Sequence, residues 1–210
     1  MRFVWKLVRP LRRPVLRALF RIAPPEANHW EEIKLHIPYY VFGRGSIRRF
    51  SWYFEGESHV PAGSVDAICE WLQACEYVRD PDLFHETDYW QHPKTFEQLR
   101  RGDCEDHALW AWRKLVELKL DAHLFVGNWR QHEATEPGGH VWVVFTNGTG
   151  QYLMETVAKS AEGMVRPLGD VRDEYSPHFS VDPWYQTRGY VGYLHELKRE
   201  VGLSGADKGA

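Results

Sequence analysis

The sequence predicts an α+β domain in which a cysteine-bearing helix packs on an antiparallel sheet. Three observations carry this expectation. One apolar-periodic segment starts at the acidic stretch GDCED, 102–106. Three strand-like runs then follow in succession, at 122–130, 139–145 and 151–157. The last two flank TNGTG, a hairpin signal. Composition agrees: of 210 residues, 43% are hydrophobic, 14% aromatic and 26% charged, with ten tryptophans. That describes a globular chain rather than a disordered or fibrous one.

The sequence predicts a basic N-terminal extension (1–28), a folded domain (29–200) and a disordered tail (201–210). Residues 1–25 hold Arg2, Lys6, Arg9, Arg12, Arg13, Arg17 and Arg21 and no acid. The chain as a whole carries −3, so the acidic excess lies beyond this leader. Val15, Leu16, Leu19, Phe20 and Ile22 would share one face if a short helix followed Pro14, with Arg13, Arg17 and Arg21 on another. This reads either as an arm for an anionic membrane surface or a partner, or as a tail packed on its own domain. No apolar run reaches the ~20 residues of a membrane span, and arginines interrupt every candidate signal-peptide core.

Residues 30–60, rich in aromatics and punctuated by Gly43, Gly45 and Gly56, read as irregular or short β structure. RRFSWYF, 48–54, interleaves base and aromatic, but one such run is better read as core or groove wall; a nucleic-acid role is not favoured. SVDAICEWLQACEYV, 64–78, predicts a helix capped by Ser64, with Val65, Ile68, Leu72 and Cys75 at helical spacing. Cys69 and Cys75 read as small buried hydrophobes. RDPDLFHETDYWQHP reads as a loop, and TFEQLR as a short helix before Gly102.

The next helix is expected from Asp103, as N-cap, to about Leu118. At ~100° per residue, Cys104, Ala108, Ala111, Trp112, Leu115, Val116 and Leu118 share one arc. His107, Arg113, Lys114 and Glu117 fall on the other, which reads as solvated. The strands follow, and PHFSVDPWYQTRGYVGYL adds one or two edge strands.

Strand alternation turns this layout into chemistry. His140, Trp142 and Val144 share a face, as do Leu153, Glu155 and Val157. A two-residue turn at Asn147-Gly148 sets His140 directly opposite Glu155. A four-residue loop at 147–150 makes them diagonal neighbours on the same face. Either register brings an acid to the imidazole. With Cys104 in the first turn of a helix, the chain supplies a nucleophile, a base and an orienting acid. The Cys104 backbone N–H is a natural oxyanion donor. For the second donor, Gln98, Gln91 and Trp90 are the candidates.

The run DYWQHPKTFEQLRRGDCEDHALWAWRKL, then GGHVWVVF, then YLMETV, resembles the bacterial transglutaminase-like cysteine proteinases over roughly 64–158. The resemblance implies a papain-like α+β fold and a Cys–His–acid triad at Cys104, His140 and Glu155. Glu155 stands where the family's usual residue is Asp. The activity implied is a thiol-dependent amide hydrolase, a cysteine peptidase acting on a protein or peptide substrate through an acyl-enzyme. The alternatives are transfer to an amine or deamidation at glutamine, and a non-catalytic module anchored by the basic N-terminus.

The acids beside Cys104 oppose thiolate formation, while the helix N-terminus and a nearby imidazolium favour it. Arg100 and Arg101 are adjacent counter-charges. Some members of the resembled family depend on calcium through acids of this motif, which carries over to Asp103 and Glu105. An ordinary acidic helix start with no metal is the preferred reading of these acids, because calcium takes ~6–8 oxygens and the sequence offers few. No cofactor is otherwise required. The other histidines lack zinc-ligand spacing. Three unpatterned cysteines suit a reducing, cytoplasmic compartment, with membrane-peripheral placement if residues 1–25 bind lipid.

Overall fold

The computed structural model describes residues 28–33, 36–130 and 138–200, the last three by backbone alone. The basic leader and the tail, with the roles expected of them, lie outside the described residues. Helix α1 spans Val65–Gln73 and α2 Pro93–Leu99. Helix α3 spans Cys104–Glu117, and α4 spans Val191–Glu200. Nine strands follow chain order: β1 Glu32–Ile33, β2 Glu76–Tyr77, β3 Arg101–Gly102, β4 Asp121–Trp129, β5 Gly138–Asn147, β6 Gly150–Met154, β7 Val165–Pro167, β8 Tyr175–Val181 and β9 Thr187–Tyr190. Seven of them form one antiparallel sheet in the order β1-β9-β8-β4-β5-β6-β7.

The α1 helix begins as expected, with Ser64 Oγ accepting the Ala67 N–H. It stops at Gln73, short of the anticipated 78. Glu76 and Tyr77 leave it to pair in parallel with Arg101 and Gly102, forming a small second sheet at the foot of α3. Burial of Cys69 and Cys75 is as expected. β8, anticipated near an edge, lies in the interior between β4 and β9.

One correction concerns α3. Its apolar arc packs on the sheet through Ala108, Ala111, Trp112 and Leu115, all buried. On the opposite arc His107, Arg113 and Lys114 are buried too, and only Glu117 is exposed. His107 is fully inside, its Nδ1 at 2.8 Å from the Asp103 carbonyl oxygen. Arg113 donates to the carbonyls of Tyr53, Glu55 and Gly56, and Lys114 to Ser58 and Glu117, with Glu97 at 3.6 Å. The aromatic segment 50–60 thus lies over the helix and supplies acceptors for its cations. Periodicity alone could not show this, because a polar arc covered by a polar-lined loop looks the same in sequence as a solvated one.

The register of β4 and β8 breaks once. Val126 pairs with Phe179, but Gly127 pairs with Pro177, so His178 is an extra residue on β8. Beyond the bulge Trp129 faces Tyr175. Without it, the ladder that sets Val126 opposite Phe179 would bring Ser176 to Trp129 and turn Tyr175 to the other side of the sheet. Gly127 is needed here: a Cβ would strike the Ser176 carbonyl.

Candidate functional site

Cys104 opens α3. Arg100, in the left-handed conformation (φ 52°), ends α2, and two residues of β3 carry the chain into the new helix. Gly102 sits where any side chain would run into the Asp106 carboxylate and the Gln91 amide. Asp103 occupies the N-cap position, but its side chain makes no capping hydrogen bond. Cys104 is partly exposed, and its sulfur meets the backbone of Val141, the residue after His140 on β5.

The hairpin takes the diagonal register. Val143 pairs with Met154 and Asn147 with Gly150, around a turn at Gly148 (φ 63°). His140 Nε2 lies 2.9 Å from each oxygen of Glu155. Both side chains are buried, His140 at 8% and Glu155 at 3% exposure. Facing an ionised carboxylate, which only accepts, a neutral ring would carry its proton on Nε2 and keep the lone pair on Nδ1. The additional methylene of Glu, relative to Asp, gives the reach that the diagonal requires.

An aromatic enclosure missed by sequence reasoning surrounds this pair. The Trp129 ring lies 4.9 Å from the His140 ring, and Tyr175 stacks on Trp129 at 5.8 Å and 9°. The Tyr175 hydroxyl donates to Glu155 Oε2 at 2.9 Å. Burial and the Glu155 charge push the Tyr175 phenol far up, so it remains a donor. Its distance of 20 residues from Glu155 and the bulge at His178 that aims it left no local signal. Tyr77 was missed as well. It is half-exposed on β2, and burial, then Cys104, Asp103 and Glu105, raise its phenol.

The candidates for a second oxyanion donor are occupied or remote. Gln91 Nε2 donates to the Arg101 carbonyl at 2.8 Å and to Asp106, which uses both amide hydrogens. Trp90 Nε1 donates to Asp88 at 3.0 Å. Gln98 is exposed on α2. Gln91 instead holds the first turn of α3, because its backbone N–H also donates to Asp106.

Acids dominate the electrostatics around the thiol. Cys104 Sγ donates to Glu105 Oε2 at 3.2 Å. Burial, then Glu105 and Asp103, raise the thiol well above its ordinary range; the Val141 backbone pulls the other way and loses. Arg100 and Arg101, expected to neutralise this charge, turn aside: Arg100 lies over the Trp71 ring and Arg101 pairs with Glu76. Asp80 and Asp88 come in from the 80–90 loop to join the group. Asp80, Asp103 and Asp106 have oxygens within 4.8 Å of one another, as do Asp80, Asp88 and Glu105. Burial raises Asp80 to about 6 and holds Glu105 and Asp106 well above the carboxylate range. One oxygen each of Asp80 and Asp103, and the Gln91 carbonyl oxygen, are buried with no hydrogen-bond partner. A set of converging, underused oxygens with no protein cation among them fits a hard divalent ion.

A cysteine at the N-terminus of a helix, packed on an antiparallel sheet that carries a His–acid pair, is the α+β arrangement expected from the sequence. Residues 88–183 match the family described as the CEP76 peptidase-like domain. No curated protein sequence matches the chain. Among solved structures, the chain is similar to a putative cysteine protease from Cytophaga hutchinsonii, at 16% identity over 57% of this chain and 38% of that one, TM-score 0.38. It is also similar to Legionella pneumophila LapG, at 16% identity over 64% and 66%, TM-score 0.40. The chain spans about two fifths and two thirds of the lengths of these two. Among the described residues no helix is long and apolar enough to cross a membrane.

Proposed function

We propose that the domain is a thiol-dependent amide hydrolase, a cysteine peptidase with Cys104 as nucleophile, His140 as base and Glu155 as orienting acid. The observation that carries this reading is the grip of both Glu155 oxygens on His140 Nε2, on the strand whose next residue meets the Cys104 sulfur. With Nε2 committed to the acid, Nδ1 is the nitrogen left to take the thiol proton. The thiolate attacks the amide carbonyl carbon, and the resulting oxyanion is met by the Cys104 N–H at the start of the helix. The imidazolium gives its proton to the leaving amine as the C–N bond breaks. Water, deprotonated by the same ring, then hydrolyses the thioester.

Calcium completes this reading. Asp103 and Glu105, with Asp80, Asp88 and Asp106, would hold it. When bound it supplies positive charge that offsets the carboxylates raising the Cys104 thiol. The three free thiols, Cys69, Cys75 and Cys104, support work in a reducing compartment such as the cytoplasm.

The test compares wild type with Cys104→Ala, Cys104→Ser and His140→Ala. Each is assayed for iodoacetamide labelling at pH 7, with calcium and with a chelator, and for cleavage of a fluorogenic peptide-amide library. Labelling and cleavage that vanish with Cys104 and fall with His140 are expected. Labelling unchanged in Cys104→Ala would end the proposal. A glutamine peptide with a fluorescent amine runs in parallel: product formed there and no cleavage would replace hydrolysis by transamidation.

A further inference from the structure

We infer that Tyr175 is a positioning residue for this site: its hydroxyl fixes the Glu155 carboxylate and, through it, the tautomer of the His140 ring. This rests on the reading of His140 as the base.

A glutamate has one more rotatable bond than an aspartate, so an orienting acid of this length brings extra freedom to the joint it must hold. The structure removes that freedom at both oxygens. Oε1 faces His140 Nε2 at 2.9 Å and the Val157 N–H at 3.4 Å. Oε2 faces the same ring nitrogen and the Tyr175 hydroxyl, each at 2.9 Å. Of these donors, the ring is the group being positioned and the Val157 contact is long. The Tyr175 hydroxyl is therefore the short, side-chain anchor from outside the pair.

Tyr175 is itself held. It is 2% exposed, lies parallel to Trp129, packs against Trp142 at 5.0 Å, and has its carbonyl engaged by Trp30 Nε1 at 3.0 Å. Trp129 in turn covers His140. Hydroxyl, carboxylate and imidazole thus form one chain across β8, the end of β6 and β5, roofed by one indole. Removing the hydroxyl leaves Glu155 free to rotate one oxygen off Nε2. The proton is then no longer confined to Nε2, and a ring that carries it on Nδ1 cannot accept from the thiol.

The experiment uses the full chain with 15N- and 13C-labelled histidine, with His140→Gln identifying the His140 signals. Tyr175→Phe keeps the ring and deletes the hydroxyl. Ser180→Ala is the control, because it breaks a buried hydroxyl pair with Tyr190 on the same strand, 2.9 Å long, away from the acid. Wild type and Ser180→Ala are expected to show His140 as the Nε2–H tautomer. Tyr175→Phe is expected to show mixed tautomers, with Cys104 labelling at pH 7 slowed about tenfold and its pH profile displaced. An unchanged His140 spectrum in Tyr175→Phe overturns the inference, as does a wild-type ring already protonated on Nδ1. So does an equal change in Ser180→Ala, which would make the effect merely structural. The spectra need no reactive thiol, so an inert Cys104 would sink the enzymatic reading while the Tyr175 comparison still stands or falls by itself.

Discussion

Glu155 reaches His140 along the diagonal of the β5–β6 hairpin, with both carboxylate oxygens 2.9 Å from Nε2. Val143 opposite Met154 sets the register, and the acid lies just past the last paired residue of β6. Side-chain length is therefore matched to strand register. Glu155→Asp draws the carboxylate back by a methylene and is expected to slow Cys104 labelling about tenfold. Glu155→Gln, whose amide can present a donor to Nε2 and favour the wrong tautomer, is expected to slow it about 10²-fold or more. Equal rates in all three proteins would show that the pair does not serve the thiol.

The acid cluster gives metal-free stability an unusual pH dependence. Burial raises Asp80 to about 6 and raises Asp103, Glu105 and Asp106 also. In this range the native state holds more protons than the unfolded chain. Stability is therefore greatest below the unfolded carboxylate range, about pH 4, and is lost as pH rises through 6. Melting in a chelator should fall in temperature from pH 4 to pH 7. Millimolar calcium should flatten or reverse that fall, since it binds the ionised acids. Identical profiles with and without calcium would remove the ion from the account.

Thiol reactivity should separate the three cysteines. Burial raises Cys69 and Cys75 to about 11, and no base is paired with either. Mass spectrometry after brief labelling at pH 7 should find Cys104 modified when calcium is present and all three cysteines slow when it is chelated. Fast labelling of Cys69 or Cys75 would mean that the α1 packing opens in solution.

Glu97 holds the covered side of α3. Its burial favours the neutral acid, but hydrogen bonds from Ser58, the His59 N–H and Trp110, with Lys114 nearby, outweigh this and hold it below the ordinary range. A depressed carboxylate contributes stability above its unfolded pKa, and that contribution is lost as pH falls. Glu97→Ala leaves Lys114, 2% exposed, with only the half-exposed Glu117 as counter-charge. It should cost about 3 kcal/mol, which is about 10 °C in melting temperature for a chain of this size. A loss under 2 °C in calorimetry would show that the 50–60 segment does not clamp the helix.

Gly127 tests the bulge. Gly127→Ala places a methyl against the Ser176 carbonyl and the Pro177 backbone, which cannot swing away as a flexible side chain would. A destabilisation of about 1–3 kcal/mol by denaturant is expected, together with a changed His140 spectrum. Destabilisation with an unaltered spectrum would separate the bulge from the orientation of Tyr175.

The catalytic candidates were legible because each depends on a short-range rule. Alternation placed His140 and Glu155 on a common face, the turn at Asn147-Gly148 joined them, and the Asp103 start put Cys104 in a first turn. What escaped depends on the pairing of distant segments. Tyr175 is aimed by a one-residue bulge at His178, which no periodicity announces. Arg113 and Lys114 read as solvated because the segment that covers them lies some 50 residues upstream, and His107 because Phe96 and Tyr77 meet it from other elements. Gln91 read as an oxyanion donor because its engagement with Asp106 and Arg101 needs the closed first turn of α3. The acids at 80 and 88 became neighbours of 103–106 only once the loop had folded back.

The buried polar arc of α3 bears on where this domain can be cut. The stretch that carries the family likeness begins at residue 88, yet Arg113 and Lys114 take their acceptors from residues 53–58, and α1 covers Trp110 through Trp71. A fragment trimmed to the recognisable portion would retain Cys104, His140, Glu155 and Tyr175 while stripping the cover from the helix that presents the nucleophile. For this protein the portion that matches the family model is expected to be smaller than the portion that folds by itself.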